Sequence, residues 1–446
     1  MGSGRLALRD FWKPADLAVV AHNRRRLTMA SVVVALGATV AAPTLAAAGS
    51  PPPPPPPPHA AGPTINVDPP TPDGNAHHPL ILETNLNGVN VTPLITSGSP
   101  IGYTPTQIKS YLGLTGTGSG QTIAIVTAYN APTIAADLAT FDTTFGLAAP
   151  PSLKKVSQSG STTSLPATDA GWALEASLDV EWAHAVAPGA SLLLVEASSS
   201  SLTNLDTAIA YASKQTGVSV ISNSWGSAGE ISGETTMDTY CKLTRAVCVF
   251  SSGDAGNPGG YPAYNPYVLS VGGTTLWLST TSGVTSVSSE SAWSGSGGGV
   301  SIYETRPSYQ SKSPFAKRAI PDVSYDADPS TGFAVYDSTS YNGASGWFQM
   351  GGTSAGAPQW AGILAAADQL RVVKKKAVLA ASSTVTTNPT PAGAAVYSLT
   401  SGMSDVATGA ANGSCGSICT AAVGYDAVTG LGSPRTGIDA ALANTP

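Results

Sequence analysis

The sequence predicts an α/β fold, with a mainly parallel sheet and helices on both faces. Short apolar, β-rich runs fall at 122–127, 191–196, 218–222, 247–251 and 268–271. Helical patterns at 132–144, 171–186, 202–215 and 355–370 alternate with them. Strands and helices in alternation pack as a parallel sheet covered on both sides. At 446 residues the chain can bury one large core plus appendages.

Residues 1–48 read as an export signal. Arg24-Arg25-Arg26 precedes an apolar run from Leu27, and Ala46-Ala47-Ala48-Gly49 offers small residues for cleavage. Arg24-Arg25 is a loose twin-arginine match. An uncleaved membrane anchor is the alternative, since the run approaches spanning length, although Pro43 and the many alanines weaken it. Residues 49–101 read as a Pro-rich linker and N-terminal arm. Pro51–Pro58 is an unbroken run expected to form an extended polyproline spacer, and 59–100 are expected to be a tether or a loosely docked arm. Residues 102–446 form the globular domain.

Composition narrows the partners. Residues 1–48 hold six Lys/Arg and two Asp/Glu, so the rest carries 15 basic and 25 acidic residues. That balance argues against nucleic acid. Arg371 with Lys374-Lys375-Lys376 is the one basic cluster and reads as a solvated helix end. Cys241/Cys248 and Cys415/Cys419 form two close pairs. Three connectivities are open, and proximity favours two local disulfides in an exported chain. Neither CxxC nor a Cys/His cluster is present, which speaks against zinc.

The candidate chemistry lies in three places. Gly351-Gly352-Thr353-Ser354-Ala355-Gly356-Ala357-Pro358 reads as a sharp turn that presents Ser354 at the start of a helix. The plain alternative for Ser354 is a helix cap. Histidine, the usual base, is scarce. His22, His59, His77 and His78 precede the globular pattern, and only His184 lies within it. Five residues from Asp179, His184 does not share its helical face and reads as structural. Glu175 and Asp179 lie four apart beside the stripe Leu174, Leu178, Trp182. Adjacent carboxylates share a proton and raise one pKa, which suits acid/base work. A solvated acidic face is the alternative, and Glu181 reads as such a solvated residue. Third, the apolar run 246–250 leads into Ser251-Ser252-Gly253-Asp254. Asp254 is either a loop-forming residue or, if protonated, a hydrogen-bond donor to a developing oxyanion.

Taken in order, these elements resemble the sedolisin family of serine-carboxyl peptidases, which are subtilisin-like. The resemblance covers roughly 102 to 440. It runs through Tyr103-Thr104-Pro105, Gly120–Val126, Glu175–Asp179, Ala187-Pro188-Gly189-Ala190, Ser224-Trp225-Gly226, Ser252-Gly253-Asp254, Val271–Thr274, Pro321-Asp322-Val323, Ala327-Asp328-Pro329 and Gly352–Ala355. It implies a subtilisin-like fold and a secreted or cell-surface endopeptidase that is monomeric and acts on polypeptides. It makes Ser354 the nucleophile, Glu175 its general base, Asp179 the group that orients Glu175, and Asp254 the oxyanion acid. Ser224, Trp225 and Gly226 would lie along the substrate cleft. A carboxylate base with a protonated Asp254 implies an optimum near pH ~3–5.

The resemblance also implies one calcium site. It would use the side chains of Asp405 and Asp426 and the carbonyls of Val406, Ala422 and Gly424. Hard oxygen donors of this kind suit Ca²⁺. Ala422 stands where the family carries glycine. The family's large pro-domain has no counterpart in the roughly fifty residues between the signal and Tyr103. A weak or inactive surface binding module is therefore the alternative to an enzyme, and a Ser-His-Asp esterase through His184 is a third reading.

Overall fold

The computed structural model describes residues 64–71, 74–83, 95–96, 99–379 and 391–446. The signal and the polyproline run lie outside them. No helix among the described residues is long and apolar enough to cross a membrane.

An eight-stranded sheet forms the centre. Leu153–Ser157, Ser191–Ala197, Thr122–Ala128, Val218–Asn223, Val247–Ser251 and Val268–Thr281 run parallel, and Val323–Asp326 adds in parallel to the last of these. Val284–Ala292 closes the edge as an antiparallel hairpin. The predicted strands at 122–127, 191–196, 218–222, 247–251 and 268–271 all lie here, the last as the start of a much longer strand.

The continuous apolar runs follow from burial on both faces. Ile123, Ile125, Val247 and Val249 join one core with Leu174, Trp182 and Ile363. Ala124, Val126, Cys248 and Phe250 join the other with Leu205 and Ile209. Strand alternation thus divides each run between two helical layers. The first layer holds Ile134–Phe145, Ala170–Val186 and Thr353–Val373, and the second holds Leu202–Ala212.

The helix Ala170–Val186 carries the paired carboxylates. Asp169 caps it by accepting from the Trp172 N–H at 3.0 Å. Every residue from Trp172 to Val186 is buried, because the hairpin Phe333–Tyr341/Ala344–Gly351 covers the side away from the sheet. The Trp182 indole donates to the Ala334 carbonyl across that contact. Glu181 is not solvated. It is fully buried and accepts from the Tyr336 N–H at 3.0 Å, with burial holding its carboxyl well above the ordinary range.

The basic cluster also differs from expectation. Arg371 is buried, and its guanidinium donates to the carbonyls of Ala377, Thr445 and Pro446. It clamps the end of the helix Ile438–Asn444 against Thr353–Val373. The structure pairs Cys241 with Cys248 and Cys415 with Cys419, the local connectivity.

Candidate active site

Ser354 is the second residue of the helix Thr353–Val373, immediately after the strand Ala344–Gly351. The turn needs glycine at 352. Its φ is 99°, and a Cβ there would meet the Pro79 carbonyl oxygen at 2.2 Å and Asp254 Oδ2 at 2.4 Å. The Ser354 hydroxyl is buried. It lies against the Glu175 carboxylate without a fully formed hydrogen bond, and it stabilises the charged form of that group.

Glu175 and Asp179 sit one turn apart and are both fully buried. The Ser224 hydroxyl donates to Asp179 Oδ1 at 2.6 Å. Burial pushes Glu175 up to about 8, against the pull of the Ser354 and Ser224 hydroxyls. Burial first, then the neighbouring Glu175 charge, holds Asp179 well above its ordinary value. Both carboxyls thus lie inside the protein, where the Glu175 charge helps to raise Asp179, and not on a solvated face.

Asp254 follows the strand Val247–Ser251 on the other side of Ser354. Its Oδ1 accepts from the Thr353 N–H at 2.8 Å and the Thr353 hydroxyl at 2.9 Å. Its Oδ2 is buried with no hydrogen-bond partner. Burial holds this carboxyl well above the ordinary range. In its protonated form Oδ2 is the oxygen left to donate, next to the Ser354 N–H.

Two sequence readings change here, and that of His184 as structural is kept. The Trp225 side chain does not line the cleft. Its indole donates to the Val126 carbonyl and packs on Phe250 in the second core. The backbone beside it, at Gly226, pairs with His77. His184 is turned to structure, its Nε2 meeting the Ala148 carbonyl at 2.9 Å and Asp142 at 3.2 Å.

The second change concerns the N-terminal arm, whose described residues are built into the fold. Thr64–Asn66 pairs with Ile81–Glu83, which pairs with Met350 and Gly351. His78 is buried, 3.4 Å from Glu175 Oε2, with its ring edge-on to Trp172. Burial lowers its pKa to about 4 against the pull of Asp68 and Asp169. The sequence signal that could have placed this arm is Pro79-Leu80-Ile81-Leu82, an apolar run inside a polar segment.

Between arm and body lies a cavity of about 330 Å³, lined on one side by Asp68, His77 and Pro79 and on the other by Gly226, Ala228 and Asp254.

The implied calcium ligands also come together. Asp405 accepts from the Gly424 N–H at 2.7 Å and Asp426 from the Ala422 N–H at 3.0 Å, while the Val406 carbonyl accepts from Thr429 at 3.1 Å. Ala422 is not among the positive-φ residues, so a side chain is tolerated there, whereas Gly424 has φ 89°. Among the described residues no group of three or more His, Cys, Asp or Glu side chains gathers as a metal cluster, and here both aspartates accept from loop N–H groups. The two N–H groups facing the carboxylates mean that the 422–424 peptides would turn to offer carbonyls.

A model of the subtilase family matches residues 168–412, a span holding Glu175, Asp179, Asp254 and Ser354. Kumamolisin of Bacillus sp. (strain MN-32) is 30% identical over 376 residues, which cover 76% of this chain and 63% of kumamolisin. The chain belongs to the subtilase family, on its sedolisin branch. Xanthomonalisin of Xanthomonas sp. (strain T-22) is 36% identical over 192 residues, 39% of this chain and 21% of that protein. The solved Pseudomonas sedolisin, a serine-carboxyl proteinase complexed with two molecules of pseudo-iodotyrostatin, superimposes with a TM-score of 0.61. That match has 28% identity and covers 78% of this chain and 98% of the other. The chain thus spans somewhat less than two thirds of kumamolisin's length, while covering nearly all of the solved sedolisin chain.

Proposed function

We propose that this chain is an acid-acting serine-carboxyl endopeptidase that cleaves peptide bonds through an acyl-enzyme. The observation that carries the reading is the convergence of Ser354 with Glu175 on one side and the unpartnered Asp254 oxygen on the other. Glu175, when ionised, takes the Ser354 proton as Oγ attacks the substrate carbonyl. The negative charge forms next to the Ser354 N–H and a protonated Asp254, two donors placed where charge develops. Glu175 then delivers its proton to the leaving amine, and water hydrolyses the ester by the reverse sequence. Asp179, held by Ser224, shares the proton with Glu175 and tunes its basicity. The cavity beside Gly226 would take the side chain on the acyl side of the cleaved bond.

Two finer elements belong to the same proposal. Asp405 and Asp426, with the carbonyls of Val406, Ala422 and Gly424, would hold one Ca²⁺. Residues 1–48 would export the chain, so the working compartment would be extracellular or at the cell surface. The test is cleavage of a defined peptide mixture from pH 3 to 8 by the full chain, with products identified by mass. Cleavage lost in Ser354→Ala and Glu175→Gln supports the assignment. Cleavage that survives both variants, or its complete absence in the wild type as well, refutes it.

A further inference from the structure

The stretch 254–260 forms one wall of the cavity, and it is nearly bare backbone. Ala255, Gly256, Gly259 and Gly260 bring at most a methyl group to it. No helix or strand holds this stretch. Its N–H groups are tied instead to two loops that do not line the cavity. Gly256 donates to the Gly295 carbonyl at 3.0 Å and Gly259 to the Gly298 carbonyl at 3.3 Å. The Asn257 side chain donates to the Gly298 carbonyl at 2.8 Å, and the Asn257 N–H to the Asn412 carbonyl at 2.8 Å.

Asn412 is the joint between the two loops. It is buried, and its side-chain amide donates to the Ser296 carbonyl at 2.8 Å while its carbonyl holds Asn257. Its own N–H donates to the Cys419 carbonyl at 3.1 Å, inside the ring that the Cys415–Cys419 disulfide closes. The packing leaves no slack. A Cβ on Gly256 would meet the Asn412 carbonyl oxygen at 2.2 Å. One on Gly413 would meet Cys419 Sγ at 2.7 Å and Asn257 Cβ at 3.2 Å. A shift of the ring is therefore passed to Asn257 by contact as well as by hydrogen bonds.

We infer that Asn412, locked by the Cys415–Cys419 ring, is a positioning residue for substrate selectivity. It fixes the 254–260 wall against those acyl-side side chains of the substrate that are large enough to reach it. The inference rests on the peptidase reading above and on the place of the cavity in it. Asp254 begins the same stretch but is held by other contacts, the Thr353 N–H and hydroxyl, and the Gly253 carbonyl beside it accepts from the Gly297 N–H at 2.7 Å. The chemistry and the far part of the wall thus have separate supports.

Asn412→Ala removes the amide that grips Ser296 and keeps the backbone carbonyl that takes Asn257. A small substrate side chain does not reach the wall, so the loss should fall on large side chains alone. One methylene in such a pocket is worth about tenfold or more in kcat/KM. The full-length wild type is compared with Asn412→Ala and with the double variant Cys415→Ser, Cys419→Ser. Two quenched fluorogenic peptides are cut in acid, identical except for phenylalanine or alanine on the acyl side of the bond. Cut sites are verified by mass, and melting temperature is followed alongside.

The expected result is a phenylalanine-to-alanine ratio of kcat/KM that falls about tenfold in Asn412→Ala. It falls in the same direction in the double variant, while the alanine peptide stays within about twofold of the wild type. An unchanged ratio in folded, active variants overturns the inference and leaves the peptidase standing. An equal fall on both peptides also overturns it, because Asn412 would then support the fold or the chemistry in general. A wild type that cuts neither peptide, nor the peptide mixture above, overturns the peptidase reading and this inference with it. If Asn412→Ala fails to fold, the double variant decides the question.

Discussion

Asp206→Asn should stabilise this protein at neutral pH and leave it nearly unchanged in acid. Asp206 lies on the helix Leu202–Ala212 and is 4% exposed. Burial alone raises its carboxyl from the ordinary 3.8 to about 7. The native side chain keeps its proton over a range in which the unfolded chain has released it. Stability from this group is therefore fully present below pH ~4 and is lost as pH rises to about 7. At ~1.4 kcal/mol for each tenfold, the rise sets an upper bound of ~4 kcal/mol. Effective interior dielectrics exceed that of dry protein, so about half of this, ~2 kcal/mol, is the expected loss at pH 8. Asparagine keeps the shape and cannot ionise. Thermal and urea unfolding at pH 4 and pH 8, in a Ser354→Ala background that prevents self-digestion, would read the effect. The variant should gain ~2 kcal/mol at pH 8, about 2–3 °C for a chain of this size, and almost nothing at pH 4. Equal changes at both pH values would show that Asp206 is ionised in the native state and refute the reasoning. Glu234, raised to about 9, and Asp238, raised to about 8, act in the same direction. The wild type should accordingly melt higher at pH 4 than at pH 8.

Further outcomes follow from the site. Glu175→Gln should lower kcat by ~10³-fold or more with little change in melting temperature, whereas His184→Ala should lower stability and spare catalysis; the opposite pattern would restore the esterase reading. The pH–rate profile should fall on the acid side as Glu175 takes up a proton and on the alkaline side as Asp254 loses one. Asp68→Ala should move the acid limb down, because the Asp68 charge helps to raise Glu175, and an acid limb that does not move would contradict its assignment to Glu175. A calcium chelator at pH 6 should lower the melting temperature of the wild type and not of Asp426→Ala. An unchanged melting temperature in protein shown to contain calcium would remove that site from the stability argument.

Periodicity made the central layers legible. Leu174, Leu178 and Trp182 announced the helix of the paired carboxylates, and the unbroken apolar runs announced strands buried on both faces. The two hairpins, 268–292 and 333–351, were missed although their turns are written out. Ser282-Gly283 and Asn342-Gly343 both take positive φ at the two central positions, the conformation that joins tightly paired strands. Glu181 and Arg371 were misjudged because charge pattern cannot reveal a second layer. Each is buried by an element distant in sequence, the Phe333–Tyr341 strand for one and the chain's last helix for the other. The arm escaped for a related reason. Its three-residue strands carry almost no local signal and acquire their conformation from Gly226 and Gly351.

The helix that mounts Ser354 also sets where this protein tolerates change. Gly356 lets it approach the sheet, since a Cβ there would meet Val271 at 2.7 Å and Tyr325 at 3.0 Å. Gly362 lets it approach the helix of Glu175, since a Cβ would meet Val186 at 2.8 Å. A single added methyl at either glycine would move nucleophile and base relative to each other without touching either. A search for altered cleavage preference therefore has a natural division. Ala228 and Ala255 on the cavity wall are positions to diversify, while these two glycines are positions at which a library would lose its active members.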